Sequence, residues 1–205
     1  VIFIGRLFNK GKVDFTRTIA LAGSEVKNPS YSKVVLGAQL ENILKGRLED
    51  KYENRIIDGN VLTGKKTTAD GFLGAFSTEV TVIPESMDDA EMLGWAMPRF
   101  GMYSTSRSYF SWLCPKRQYT IDARIKGGER HMIMSNEYDK VFPMDIYAGY
   151  LVKAIIAGDI DRMEALGIYE VAPEDFALAE FVDSSKLELQ RIVRQGLDML
   201  RKEMA

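Results

Sequence analysis

The chain has 205 residues, 46% of them hydrophobic and 27% charged, which is enough to bury a core of globular proportions. Its formal net charge is −2 with lysine and arginine scattered along the chain, so it carries no basic field of the kind a nucleic-acid surface needs. Cys114 is the only cysteine and His131 the only histidine; this excludes an internal disulfide, fits a reducing compartment, and leaves any Ser-His-Asp triad or zinc site to be built around one imidazole.

No apolar run approaches the roughly 18 residues of a membrane span. The start, Val1-Ile2-Phe3-Ile4-Gly5, has no charged region leading into an apolar stretch and is not a signal peptide. It is expected to be a strand entered midway, in a chain cut from a longer protein.

Three segments are expected: 1–64, 65–130 and 131–205. The first reads as a small α+β unit. Thr18 to Ala22 is a strand ending at Gly23-Ser24, and Lys33 to Leu36 is a second. A short amphipathic helix follows, with Leu40, Ile43 and Leu44 on one face and Gly46 past its end. Arg55-Ile56-Ile57 and Asn60-Val61-Leu62 flank Asp58-Gly59, a hairpin-prone dipeptide.

The middle segment is less regular. Thr78 to Ile83 alternates with period two and is closed by Pro84; Gln118 to Ile121 is a candidate strand, and Gly127-Gly128 a turn. Between them Phe100, Tyr103, Tyr109, Phe110 and Trp112 are expected to form a small packed core. The alternative is a flat apolar surface for a quinone ring or a partner subunit.

The last segment is helical. Asp145 is expected to cap a helix carrying Ile146, Tyr147, Tyr150, Leu151, Ala154 and Ile155, with Gly158 as its stop. Asp159 starts a second short helix ending near Gly167. Pro173 with Glu174 and Asp175 is a first-turn signature. Ser185 and Glu188 form a capping box for a final helix whose stripe is Leu189, Ile192, Val193, Gly196, Leu197 and Leu200, expected to pack on its own domain.

Within this segment lies the spacing of an iron–sulfur domain without its ligands. A two-cluster ferredoxin repeats C-x2-C-x2-C-x3-C-P. Counting back from Phe142-Pro143 places Tyr138, Ser135 and Met132 at ligand positions, and counting back from Asp183 places Ala179, Phe176 and Pro173 there. None can hold iron as a thiolate would, so electrons should not reside in this chain. The plainer reading is two ordinary loop-to-helix corners.

Taken in order, Ile4 to Phe8, Ile19 to Val26, Arg55 to Gly64, Gly71-Phe72-Leu73-Gly74, Val80 to Glu85, Met92-Leu93-Gly94-Trp95, Gly128-Glu129-Arg130, Phe142 to Ile146, Ala157 to Arg162, Ala165-Leu166-Gly167 and Glu174 to Leu178 resemble the C-terminal half of the A-subunit family of sodium-translocating NADH:quinone reductases. The resemblance covers essentially the whole chain. It implies an α+β fold: an SLBB-type, β-grasp-like domain, then a mixed β segment, then a helical C-terminal domain without clusters. That last domain would be related to the two-cluster domain in the C-subunit of the Rnf complex. Where many relatives read Cys-Thr-Phe-Val-Cys-Pro-Gly-Lys, this chain has Ala179-Glu180-Phe181-Val182-Asp183-Ser184-Ser185-Lys186, so both family cysteines are absent.

The resemblance further implies a peripheral part of a respiratory complex on the cytoplasmic face of the bacterial inner membrane. That complex couples NADH oxidation and ubiquinone reduction to sodium export, with NADH, flavins and iron–sulfur centres on other subunits. This part would hold no cofactor, metal or catalytic residue of its own; it would serve assembly, with ubiquinone as the one small molecule it could contact. A nucleotide site is not expected, since Gly71-Phe72-Leu73-Gly74 has the wrong spacing. The rival readings are a free-standing small-ligand binding module and an Rnf-type electron-transfer subunit.

The candidate residues for quinone or partner contact are Arg55, Arg130 and His131. Each arginine could hydrogen-bond a quinone carbonyl, and each could equally serve a structural salt bridge, the favoured reading. His131 could relay a proton, or simply sit solvated in a polar turn. The pairs Asp159/Asp161 and Glu174/Asp175 are read as caps and first-turn charges rather than acid–base pairs.

Overall fold

The computed structural model describes residues 1–85, 100–104, 107, 109–125 and 128–204. The motif Met92-Leu93-Gly94-Trp95 and Gly127 lie outside these residues. The chain divides into two compact units, Val1–Asp89 with Thr120–Arg124, and Ala90–Tyr119 with Ile125–Ala205.

The first unit is a five-stranded mixed sheet in the order β2-β1-β5-β3-β4. Its elements are β1 (Thr16–Ala22), β2 (Ser30–Val35), helix α2 (Leu40–Leu44), β3 (Asn54–Asp58), β4 (Lys65–Thr67) and β5 (Glu79–Pro84). β1 is antiparallel to β2 and parallel to β5, which runs antiparallel to β3. Period-two alternation sends Ile19, Leu21, Val80 and Val82 to one face, where Leu40, Ile43 and Leu44 of α2 close over them, with Leu73 and Ile56.

Two expectations fail here. The start of the chain is not a strand but helix α1 (Ile2–Lys10), closed by Gly11 in the left-handed conformation. Its inner side is held by Phe3 edge-on to Phe15 at 5.6 Å, by Arg6 bonded to the Thr16 carbonyl, and by Lys10 against Asp14 at 2.9 Å. A short apolar run fits either period, and these later partners decide it. The second failure is the hairpin at Asp58-Gly59. Asn60 Oδ1 accepts from the amides of Leu62 and Thr63, each at 2.8 Å, so residues 61–63 form a turn and β3 pairs instead with β4 further on.

Between the strands Arg55 grips Glu85, with Nε 3.0 Å from both carboxylate oxygens, and Lys66 Nζ lies 2.8 Å from Oε2. The hydrogen bond from Arg55 lowers the Glu85 pKa from 4.5 to about 2. A depressed carboxylate contributes stability that is present above its unfolded pKa and is lost as pH falls through the folded one. Wild type should therefore exceed Glu85→Gln by about 1–2 kcal/mol at pH 7, less than full linkage because the pair is partly solvated. Urea melts at pH 7, 4 and 2.5 should show the gap closing between roughly pH 4.5 and 2. A gap independent of pH would mean the ion pair is not its source.

The second unit is helical where it is regular: α3 (Ala148–Ala157), α4 (Ile160–Ala165), α5 (Ala177–Val182) and α6 (Leu189–Glu203), with 3₁₀ turns at Phe110–Leu113, Ile168–Glu170 and Pro173–Phe176. Gly158 ends α3 in the left-handed conformation, the Asp159 side chain caps α4 by accepting from the Arg162 amide, and Pro173 opens its 3₁₀ turn. The core gathers Leu151, Val152 and Ile155 of α3, Met163 of α4, Ile168 and Phe176, and Leu189, Val193 and Leu200 of α6. α6 comes close to α3 at Gly196, where a Cβ would lie 3.0 Å from Ile155 and Ile168 side-chain carbons.

Four local expectations are corrected in this unit. Asp145 caps nothing, because α3 starts at Ala148 with Tyr147 as its cap residue. Ser185 and Glu188 make no capping box: Glu188 is the cap residue without a side-chain bond, and Ser185 is fully buried with its hydroxyl accepting from Ile133. Gln118 to Ile121 is not a strand. Of the aromatic stretch only Tyr109 is buried; Phe100, Tyr103, Phe110 and Trp112 are exposed, Phe100 and Phe110 stacked at 5.2 Å. No helix among the described residues is long and apolar enough to cross a membrane.

Candidate functional site

The described residues of the helical unit line an open groove of about 1240 Å³. One wall is α3, through Tyr150, Lys153, Ile156 and Ala157; a second is Arg162, Ala165 and Leu166, at the end of α4. The strap Glu129–Met132 and Leu187 with Ile192 complete it. The gap follows from the sequence. Gly158 and Asp159 turn the chain sharply between α3 and α4, leaving the outward side of α3 uncovered, so Tyr150 and Ile156 are 60% and 56% exposed.

The groove has a mixed apolar and polar lining. Ala154, Ile156, Ala157, Leu166 and Ile192 supply the apolar part. The polar part is Arg130, His131, Lys153 and Arg162, together with Glu129 and Asp159. Asp159 is already engaged, capping α4 and lying 3.1 Å from Arg162 Nε. Such a groove suits a molecule with a flat or elongated apolar body and hydrogen-bond acceptors at one end.

The strap has neither helix nor strand from 128 to 135 and is held by long-range bonds. The Arg130 amide donates to the Ser185 carbonyl at 2.8 Å, and the Ile133 amide to Ser185 Oγ at 3.2 Å. Further along, Tyr138 donates its hydroxyl to the buried Asp183 carboxylate at 2.9 Å. Burial, together with that carboxylate, raises the Tyr138 phenol well above its ordinary range and keeps it a donor.

The structure thus brings two of the three sequence candidates, Arg130 and His131, to one groove. Arg55 belongs to the other unit, where the Glu85 and Lys66 cluster engages it as a structural salt bridge. Asp159 is a helix cap, and Asp175 Oδ2 accepts from the Ala172 amide at 2.7 Å, as expected of first-turn acids. Sequence reasoning misses Lys153, Arg162 and Ile156. The spacing Tyr150, Lys153, Ala157 marks one helix face, but the apolar pattern assigns Tyr150 to the buried side.

The two runs with ferredoxin-like spacing also meet in the structure. Tyr138, from the first run, meets Asp183, from the second; Phe142 and Phe176 likewise meet across the runs, ring centroids 4.8 Å apart.

A family model described as the NQRA C-terminal domain matches residues 18–69, which run from within β1 through β4. Over 204 residues, 99% of its length, the chain is 39% identical to the A-subunit of the Na(+)-translocating NADH-quinone reductase of Pasteurella multocida (strain Pm70), covering 45% of that protein. It is 37% identical over the same length to the A-subunits of the same name from Rhodopirellula baltica and Yersinia pestis bv. Antiqua, covering 44% and 45% of them. The chain therefore spans somewhat under half the length of the curated relatives it matches. Along 99% of its length the chain is thus a homologue of part of the A-subunits of the Na(+)-translocating NADH-quinone reductases, and residues 18–69 match the SLBB domain of that family.

Proposed function

We propose that this chain acts as a non-catalytic module of the A-subunit in a sodium-translocating NADH:quinone reductase. It serves assembly of the complex and recognition of its quinone. The complex oxidises NADH, reduces ubiquinone and exports sodium, with flavins and iron–sulfur centres on other subunits, and the module sits peripherally on the cytoplasmic face of the bacterial inner membrane. Similarity along 204 residues to proteins of that name supports the assembly role. The observation that supports the quinone role is the groove, which Arg130 and His131 line together with the apolar Ala154, Ile156, Leu166 and Ile192.

In this reading the ring lies along Ile156 and Leu166, and a carbonyl accepts from the strap or from Lys153. The chain's own contribution is to bind and orient; electrons pass elsewhere. Two finer features of the fold belong to the same reading. The strand order β2-β1-β5-β3-β4, with β1 and β5 parallel and α2 packed on the sheet, supports a β-grasp-like domain. The crosswise contacts Tyr138–Asp183 and Phe142–Phe176 support a ferredoxin-derived helical domain, because in two-cluster ferredoxins the fourth ligand of each run serves the other cluster.

Titration with a short-chain ubiquinone, followed by amide and aromatic NMR shifts, tests the quinone role. Saturable shifts should cluster at Tyr150, Lys153, Ile156 and the strap, and Lys153→Ala should weaken binding about three- to tenfold, the net worth of one solvent-accessible hydrogen bond. Saturable shifts elsewhere, or none up to the solubility limit, would leave assembly as the module's role. Retention of the other pump subunits in a pull-down tests that role separately.

A further inference from the structure

We infer that Asp183 and Ser185 are positioning residues of the groove: one buried carboxylate fixes the corner that holds the strap carrying Arg130 and His131. The inference rests on the quinone reading only for what the groove binds. The Asp183 side chain is 2% exposed and accepts three hydrogen bonds, from the Tyr138 hydroxyl at 2.9 Å, the Ser185 amide at 3.1 Å and the Leu187 amide at 2.8 Å. A buried charge satisfied by three donors is costly to displace, so the 183–187 corner is stiff.

From this corner Ser185, itself fully buried, reaches the strap twice, through its carbonyl to Arg130 and through its hydroxyl to Ile133. The strap has no regular structure of its own, so these two bonds set its height over the groove. Leu187, which also lines the groove, is tied to the same carboxylate. The strap and Leu187 thus both take their position from Asp183, although Asp183 itself does not line the groove.

Amide hydrogen exchange on the 205-residue chain tests this directly. In Ser185→Ala the amides of both Ile133 and Arg130 should exchange about three- to tenfold faster, because the strap lifts as a unit when one bond is lost. Amides inside α3 and α6 should keep their rates. Tyr138→Phe, which changes no atom of Ser185 or the strap, should produce the same selective acceleration through Asp183 and serves if Ser185→Ala fails to fold. In both variants the Kd for a short-chain ubiquinone should rise about three- to tenfold. Unchanged strap rates, a change at Ile133 alone, or equal loss of protection in α3 and α6 would overturn the proposal. If wild type binds no quinone, the ligand reading fails while the exchange result stands by itself.

Discussion

Replacing Gly23 by alanine should destabilise the chain by more than about 3 kcal/mol, the largest effect expected of any single methyl group here. Gly23 leaves β1 with φ of +118°, where side chains are strained. A Cβ there would lie 1.9 Å from the Val82 carbonyl oxygen and 2.6 Å from its amide nitrogen. Both are backbone atoms of β5, so nothing can rotate aside; β1 and β5, neighbours at the centre of the sheet, must part. The Glu25 amide bond to the same carbonyl, at 3.3 Å, would go with them. Gly46 separates the two contributions, since its φ is +70° with nothing within 4 Å of the added methyl. Gly46→Ala should show the backbone strain alone, about 1 kcal/mol. Thermal unfolding should drop by at least about 6 °C for Gly23→Ala and by only about 2–4 °C for Gly46→Ala. Equal shifts would mean that the close approach to β5 contributes nothing.

Truncating Phe176 should cost about 3–5 kcal/mol. The ring is fully buried in the helical unit and lies against Phe142. Alanine would leave a cavity that the 3₁₀ turn Pro173–Phe176 and α6 cannot close without moving the chain around them. Phe176→Leu keeps most of the volume and should cost less than about 2 kcal/mol. Urea unfolding should show the midpoint falling in that order with an unchanged slope. A midpoint for Phe176→Ala within error of wild type would remove the ring from the core.

These residues also mark how far the sequence can be read. Signals that act within a few residues are legible: alternation in β1 and β5, the αL glycine at 158, the Asp159 cap and the proline at the first turn of its helix. Each is decided by local sterics or by one hydrogen bond to a near neighbour. The start of the chain misleads because its partners Asp14, Phe15 and Thr16 lie beyond the run. Ser185 looks like a cap by its spacing to Glu188, but its hydroxyl is claimed by an amide 52 positions earlier. Arg130 and His131 are legible as candidates only through their residue types.

The sequence by itself carried the resemblance to the A-subunit family, through an ordered series of short motifs, and it determined the mixed α+β class, through the periods of its apolar residues. It also shows no thiolate at the ferredoxin-like positions, which hold Met132, Ser135, Tyr138, Phe142, Pro173, Phe176, Ala179 and Asp183. Only the tertiary structure decided that Tyr138 would meet Asp183, that Ser185 would hold the strap, and that Arg130 and His131 would share a groove with Lys153 while Arg55 is held by Glu85. A pattern in sequence reports which face of an element is apolar. Which distant donor reaches a buried carboxylate depends on how those faces close on one another, and no local spacing encodes that.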